Sequence, residues 1–140
     1  NTPSMLCVED ALDTLRWAES IGGLSALMAR SQKNLGVLSA WVERTPWVEF
    51  LAREAAYRSS TSICLSITEP WFQAFSREAK QAHVKKLTGL LDKKGVAYDI
   101  ASYVDAPPGL RVWGGSTVEA SDLEALTPWL DWAFAAAREG

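Results

Sequence analysis

The chain has 140 residues, of which 48% are apolar and 22% are charged, and its formal net charge is -3. This length and composition predict one globular domain with a real core, and they argue against intrinsic disorder and against a membrane span of about 20 apolar residues. Lysines and arginines are interspersed with acids, so no nucleic-acid surface is predicted.

The first third of the chain predicts two amphipathic helices. The first covers about residues 5–20, with Ser4 placed to cap its amino end and Gly22 to stop it. The second runs from about 24 to 42 and ends before Pro46, because the residue that precedes a proline avoids the helical region. The first helix is indicated by apolar side chains at helical spacing: Met5, Val8, Leu12 and Leu15.

Two strands and a third helix are predicted in the middle of the chain. The segment WVEFL at 47–51 alternates weakly, and TSICLSI at 61–67 is β-branched and apolar enough for a buried strand. Ser76 is placed to cap a helix that continues to Lys94 and stops at Gly95. Its inward side chains are predicted to be Ala79, Val84, Leu87 and Leu91.

The last third predicts two more strands and a closing helix. VAYDIASY at 96–103 is typical of a strand, and GLRVW at 109–113 follows the stiff connection DAPPG. Ser121 and Glu124 form a capping-box pattern at the start of the last helix. The order α-α-β-β-α-β-β-α over 1–140 predicts a single α+β domain, with a small, mainly antiparallel sheet covered by helices.

Most polar residues point to structural roles. The lone histidine, His83, lies in the middle of a predicted helix with no Cys or carboxylate at metal-ligand spacing, so a structural or solvated role is favoured and no metal site is predicted. Gly22-Gly23 and Gly114-Gly115 lack the lysine of a phosphate loop and are typical of turns. The lysines lie on polar helical stretches, so none is predicted to be a Schiff-base nucleophile.

The cysteines and tryptophans also favour a structural reading. Cys7 and Cys64 lie in different elements, and buried reduced thiols are expected rather than a disulfide. The seven tryptophans are spread along the chain, which favours packing and subunit contacts. Because no secretory signal pattern precedes the first helix, a cytoplasmic setting is expected.

Arg111 is the main candidate for a binding residue. Alternation in GLRVW puts Leu110 and Val112 on one face of the strand and Arg111 with Trp113 on the other. A planar guanidinium on a rigid strand suits bidentate capture of a carboxylate. Two alternatives stay open from these residues alone, namely a salt bridge to an acid on the sheet surface and a solvated side chain.

Three stretches of this sequence together resemble a known family: NTPS at the start, RSSTSICLSI, and GVAYDIASYVDAPPGLRVWGGSTVEASDLEALTPWLDWAF. They resemble the carboxyl-terminal part of phosphoserine aminotransferases, close to the alphaproteobacterial type, and the likeness covers essentially the whole chain in order. The family belongs to the class V, fold type I pyridoxal-phosphate transaminases. The resemblance implies that NTPS is a loop that enters the small domain of a longer protein.

The resemblance implies an activity and site residues. Such enzymes are homodimers that interconvert 3-phosphohydroxypyruvate plus glutamate with phosphoserine plus 2-oxoglutarate in serine biosynthesis. Asn1 and Thr2 match the pair that reaches the cofactor phosphate bound in the neighbouring subunit, and Arg111 matches the arginine that holds the substrate α-carboxylate. No catalytic residue of the family falls in this chain, because the large domain with its Schiff-base lysine is absent, and the chain alone is expected to be inactive.

One departure and two other hypotheses accompany the resemblance. Many family members carry basic residues just before the carboxylate arginine, whereas this loop has Tyr103, Val104 and Asp105, so the oxo-acid partner stays open. One alternative is a stand-alone, non-catalytic ligand-binding or dimerisation module, which a start codon immediately before Asn1 would favour. An independent enzyme without cofactor is the weaker alternative, because the sequence shows no pair of base and nucleophile.

Overall fold

The computed structural model describes residues 4–139, which form five α-helices, a 3₁₀ turn and a three-stranded sheet. This architecture confirms the predicted α+β class. In chain order the elements are α1 (Met5–Ser20), α2 (Gly23–Arg44), β1 (Val48–Phe50), the 3₁₀ turn (Ala55–Tyr57), β2 (Ser62–Ile67), α3 (Pro70–Gln73), α4 (Arg77–Lys93), β3 (Leu110–Trp113) and α5 (Ala120–Glu139).

The helix boundaries follow the local signals in the sequence. Gly22 and Gly23 take φ of 111° and 70°, a left-handed conformation that favours glycine, and this turn separates α1 from α2. The break before Pro46 is confirmed, since Thr45 leaves the helix with an extended backbone. The Ser76 hydroxyl accepts a hydrogen bond from the Ala79 amide at 3.2 Å, which confirms the predicted cap of α4.

The sheet is antiparallel with the strand order β1-β2-β3, and its two faces differ sharply. One face is apolar and buried. The other face, called the open face below, carries Glu49, Ser62, Cys64, Ser66, Arg111 and Trp113. In the register Cys64 lies opposite Arg111, and Ser62 lies opposite Trp113.

A single cluster of buried side chains joins the apolar face of the sheet to α2, α4 and α5. Trp41 of α2 and Trp47 before β1 both donate their indole N–H groups to the Asp131 carboxylate of α5, at 3.1 and 2.9 Å. The Trp47 ring also stacks on Phe134, with centroids 4.2 Å apart. The fully buried members of the cluster include Leu38, Ile63, Ile67, Phe72, Leu87, Leu91, Leu110 and Leu130.

Two local predictions near the carboxyl end are wrong. The predicted strand 96–103 is reduced to one bridge between Ala101 and Leu110, because Asp99 takes a left-handed φ of 50° that breaks the extended backbone. The predicted capping box is also absent, since α5 begins at Ala120 and therefore contains Ser121 and Glu124 within its first turns.

α1 is a helix as predicted, and none of its described side chains is buried. Its apolar residues stay open to solvent, with Met5 70% and Leu15 60% exposed. Cys7 lies on the same helix and is exposed, so the expectation that it is buried is wrong, while Cys64 is half-buried and both cysteines are free. Cys7 is exposed because α1 packs mainly along α2. Between residues 4 and 139, no helix is both long enough and apolar enough to cross a membrane.

Candidate functional site

Arg111 stands in the middle of β3 on the open face, as the alternation predicts. Its side chain is 27% exposed, so the guanidinium is partly desolvated and still reachable from solvent. The backbone beneath it is fixed on both sides: the Arg111 amide donates to the Ile100 carbonyl at 2.8 Å, and Cys64 of β2 pairs with it across the sheet. A charged fork on a backbone held in this way has a defined direction of approach.

Among residues 4–139, the side chains of Asp99 and Tyr103 contact the guanidinium. Nη2 of Arg111 lies 3.3 Å from Oδ2 of Asp99, and the Asp99 side chain is 90% exposed. The Arg111 Cζ atom lies 4.7 Å from the centroid of the Tyr103 ring, which is a cation–π contact. Of the alternatives left open by the sequence, a salt bridge to an acid on the sheet surface is therefore present.

A cavity of about 320 Å³ opens beside this guanidinium. Its lining combines one cation and one carboxylate with a hydroxyl, a phenol and an indole, so it presents hydrogen-bond donors, an internal anion and flat apolar walls. A small carboxylate with a short carbon chain is the kind of ligand that such a lining accommodates. The lining residues are Ser62, Tyr98, Asp99, Arg111 and Trp113.

Glycines and a buried amide hold the ends of β3. A Cβ atom on Gly109 would lie 2.2 Å from the Leu65 carbonyl oxygen, and one on Gly114 would lie 2.7 Å from Cδ1 of Ile63. Asn34 of α2 is 1% exposed, and its Nδ2 donates to the carbonyl oxygens of Gly114, Gly115 and Val118 at 3.0 to 3.1 Å. Sequence reasoning missed Asn34, although a polar residue among the apolar positions of α2 was a visible signal.

Two arginines hold the connections before and after β3. Arg77 of α4 donates to the carbonyl oxygens of Val104 and Ala106 at 3.1 and 3.3 Å, which fixes the loop that follows Tyr103. Arg30 of α2 donates from Nε to the Ser116 carbonyl at 2.6 Å and pairs with Glu119. The connections before and after β3 are therefore both tied to helices.

The other predicted residues lie elsewhere. Asn1 and Thr2 fall outside the described residues. His83 packs against Trp71 and Phe72, and its Nε2 is buried without a hydrogen-bond partner among residues 4–139. Burial lowers the pKa of His83, and the positive charge of Lys86 lowers this pKa further. This environment agrees with the structural role predicted for the histidine.

The surroundings of Arg111 offer neither a metal site nor an amine that could form an imine. Within the described part of the chain, no group of three or more His, Cys, Asp or Glu side chains is arranged to bind a metal ion. No lysine lines the cavity beside Arg111. Among residues 4–139, the lining of this cavity therefore supplies a guanidinium and no amine.

Comparison with known proteins gives consistent matches to one family. No protein-family model matches the chain. It is 46% identical over 134 residues to the phosphoserine aminotransferase of Methanosarcina mazei and 47% identical over 134 residues to that of Methanosarcina barkeri. These alignments cover 96% of the chain and 34% of each relative, so the chain spans about a third of their length.

Solved structures agree on the fold. The phosphoserine aminotransferase from Bacillus circulans subsp. alkalophilus superposes with a TM-score of 0.78 at 16% sequence identity, over 97% of this chain and 34% of that one. A second phosphoserine aminotransferase structure, from a study of radiation damage to the Schiff base, gives a TM-score of 0.74 at 14% identity. At such identities the likeness establishes the fold alone.

Proposed function

The chain belongs to the phosphoserine aminotransferase family and spans about a third of the length of its relatives, so we propose that it is the small carboxyl-terminal domain of such an enzyme. The proposed whole protein is a cytoplasmic, homodimeric transaminase. It would interconvert 3-phosphohydroxypyruvate plus glutamate with phosphoserine plus 2-oxoglutarate. In this proposal the large domain of the same polypeptide and a second subunit are the partners.

The observation that carries the proposal is the half-buried guanidinium of Arg111 beside a small cavity. Partial desolvation strengthens its attraction for an anion, and the rigid strand fixes the direction of its donors. Arg111 is proposed to bind the α-carboxylate of the amino acid or oxo acid and so to orient the substrate α-carbon. Trp113, which lines the same cavity and is 57% exposed, would form an apolar wall for the substrate carbon chain.

Pyridoxal 5′-phosphate is the cofactor that the family implies. When bound, it supplies electron withdrawal from the substrate α-carbon. The described residues do not fit a covalent site for it, because no lysine lines the cavity beside Arg111. Asn1 and Thr2 are proposed, from the resemblance, to contact the cofactor phosphate in the neighbouring subunit. The chain by itself is therefore proposed to be inactive.

The identity of the oxo acid is the most specific part of the proposal. The loop Tyr103-Val104-Asp105 contains no cation, and Val104 is 74% exposed. Comparing 3-phosphohydroxypyruvate with unphosphorylated hydroxypyruvate as acceptors in the whole protein tests this part directly. A kcat/KM that is equal for the two acceptors would contradict a phosphate-specific site.

The role of Arg111 is tested by Arg111→Ala in the full-length protein, with the glutamate half-reaction as the measurement. Loss of a charge-assisted hydrogen bond is expected to weaken glutamate capture by at least about 1.5 kcal/mol, which is roughly a tenfold rise in KM. Arg44→Ala is the matched control, because this arginine is exposed and donates only to the Ala40 carbonyl of its own helix, as far as residues 4–139 show. Unchanged glutamate kinetics in Arg111→Ala would overturn the assignment.

The cofactor proposal has a chemical test on the 140-residue chain. Mixing the chain with pyridoxal phosphate and then reducing with borohydride is expected to leave no stoichiometric adduct, and mass spectrometry of tryptic peptides is the readout. Scattered low-level labelling of surface lysines agrees with this expectation. A complete adduct on one defined lysine would contradict it.

A further inference from the structure

We propose that Asp99 is a displaceable internal counter-ion that competes with the incoming carboxylate for Arg111 and thereby sets the affinity of the site. The proposal rests on the proposed function, in which Arg111 binds the substrate carboxylate. It concerns a residue to which that function gives no role. The carboxylate of Asp99 occupies the kind of position on the guanidinium that a ligand carboxylate requires.

The two members of the ion pair are held very differently. Arg111 is 27% exposed, has a backbone fixed in the sheet and lies against the Tyr103 ring at 4.7 Å. Asp99 is 90% exposed and reaches the guanidinium through one contact of 3.3 Å, which is longer than a usual N–H···O hydrogen bond. The aspartate is therefore the partner that leaves when a better-placed carboxylate arrives.

A short tether keeps the aspartate close to the arginine. The carbonyl of Ile100, the residue next to Asp99, accepts the Arg111 amide at 2.8 Å. A group attached at such a point acts at a high effective concentration, so even a weak pair reduces the fraction of arginine that is free for a ligand. Asp99 also lines the cavity beside Arg111, so ligand and aspartate meet in the same space.

The sign of the effect separates this proposal from a positioning role. If Asp99 competes with the ligand, removing its charge tightens ligand binding. If Asp99 instead orients the guanidinium, removing its charge weakens binding. The expected change in ligand affinity is small, because an exposed ion pair contributes little free energy. It corresponds to about a two- to fivefold change in affinity.

The backbone at Asp99 makes a clean variant available. Asp99 has a φ of 50°, and asparagine tolerates this left-handed conformation as well as aspartate does. Asp99→Asn therefore removes the charge without straining the loop. Asp92→Asn is the matched control, because Asp92 is exposed near the end of α4 and forms no ion pair within the described part of the chain.

The test uses the full-length protein with glutamate in the half-reaction and succinate as a dicarboxylate that cannot be transaminated. Asp99→Asn is expected to lower the KM for glutamate and the Kd for succinate about two- to fivefold, with the maximal rate of the half-reaction unchanged. In an Arg111→Ala background the same change is expected to have no effect. Asp92→Asn is expected to bind both ligands as the wild type does.

The outcomes distinguish this inference from the proposed function. Normal ligand binding by Arg111→Ala would overturn the proposed function. Weakened binding by Arg111→Ala, together with unchanged or weaker binding by Asp99→Asn, would overturn the counter-ion proposal and leave the proposed function standing. An equal gain in Asp92→Asn would also overturn it, because the effect would then come from net charge.

Discussion

At the scale of single residues, Gly109 fixes where Arg111 stands. The Gly109 amide donates to the Ser102 hydroxyl at 3.2 Å, and a side chain at this position would lie 2.2 Å from the Leu65 carbonyl oxygen. The carbonyl belongs to a central strand and cannot move without breaking the sheet. Glycine is therefore required by the close approach of two backbones two residues before the arginine.

This geometry predicts opposite effects for two glycine substitutions. Gly109→Ala is expected to cost at least about 2 kcal/mol of the free energy of unfolding, because the new methyl group separates β2 from β3. Gly89→Ala, within α4 and with nothing within 4 Å of the new atom, is expected to stabilise by about 0.5–1 kcal/mol. Urea denaturation of both variants is the measurement, and equal effects would contradict this account.

The surroundings of His83 predict that stability depends on pH. Burial, with the charge of Lys86, lowers its pKa in the folded state below the usual value of 6.5. The unfolded state then binds a proton more readily than the folded state, so the full stability is present above the unfolded pKa and is lost as the pH falls below it. The midpoint of urea denaturation is expected to decrease from pH 7.5 to pH 5.5.

The control for this prediction is His83→Gln, because the sequence contains a single histidine. In this variant the part of the decrease that occurs between pH 7 and pH 6 is expected to disappear, while the carboxylates still contribute at lower pH. A pH dependence in that interval that is identical in the variant and the wild type would show that His83 is not its source.

At the scale of elements, one carboxylate joins three parts of the core. Asp131 of α5 accepts the indole N–H groups of Trp41 in α2 and Trp47 before β1. Both donors belong to buried rings, so water does not replace the carboxylate easily. The arrangement fixes α5 against α2 and against the segment that leads into β1.

The loss of stability on substitution of Asp131 is expected to depend on the number of acceptor oxygens that remain. Asp131→Ala leaves two indole donors unpaired and is expected to cost about 2–4 kcal/mol, whereas Asp131→Asn keeps one acceptor oxygen and is expected to cost less. Asp122→Asn in the first turn of α5 is the control for loss of charge. Chemical denaturation followed by tryptophan fluorescence measures all three, and equal stability of the Ala and Asn variants would contradict the account.

Some elements of this fold can be predicted from the sequence and others cannot. α2 and β2 were predictable because their apolar periods of 3.6 and 2 agree with the break before Pro46 and with burial on one face. The segment 96–103 has strand composition and forms only one bridge, because the left-handed backbone at Asp99 depends on the loop around it. Local composition carries no information about such a loop.

For the site, the sequence likewise predicts the local position of Arg111 but not its partners from distant parts of the chain. Alternation along β3 predicts that Arg111 lies on the outer face of the sheet, and it lies there. Its partner Asp99 lies 12 residues earlier in the chain, and the contact arises from the turn that precedes β3. Asn34, which holds the other end of the strand, lies 80 residues from Gly114. Side chains that meet across such separations are fixed by tertiary packing, which a single sequence does not reveal.

At the scale of the whole molecule, two surfaces differ from an ordinary solvated exterior. The open face of the sheet carries Arg111 and Trp113, and the apolar side of α1 carries Met5, Leu12 and Leu15 with 70%, 39% and 60% exposure. Contiguous apolar surface of this kind is typical of an interface. Since the chain spans about a third of its relatives, the proposed large domain is the occupant that we expect for the α1 surface.

This expectation predicts that one substitution has different effects in two settings. Leu15→Lys is expected to change the free energy of unfolding of the 140-residue chain by less than about 0.5 kcal/mol, because Leu15 is already 60% exposed there. In the full-length protein the same lysine would be desolvated against the large domain, and a loss of at least about 1 kcal/mol is expected. Thr14→Lys adds the same charge on the polar side of α1 and is expected to be neutral in both. Urea denaturation of the four variant proteins measures the difference. A small, equal effect of Leu15→Lys in both settings would show that α1 does not dock on the large domain. The reason is that a docked leucine cannot be replaced by a charge without a loss of stability.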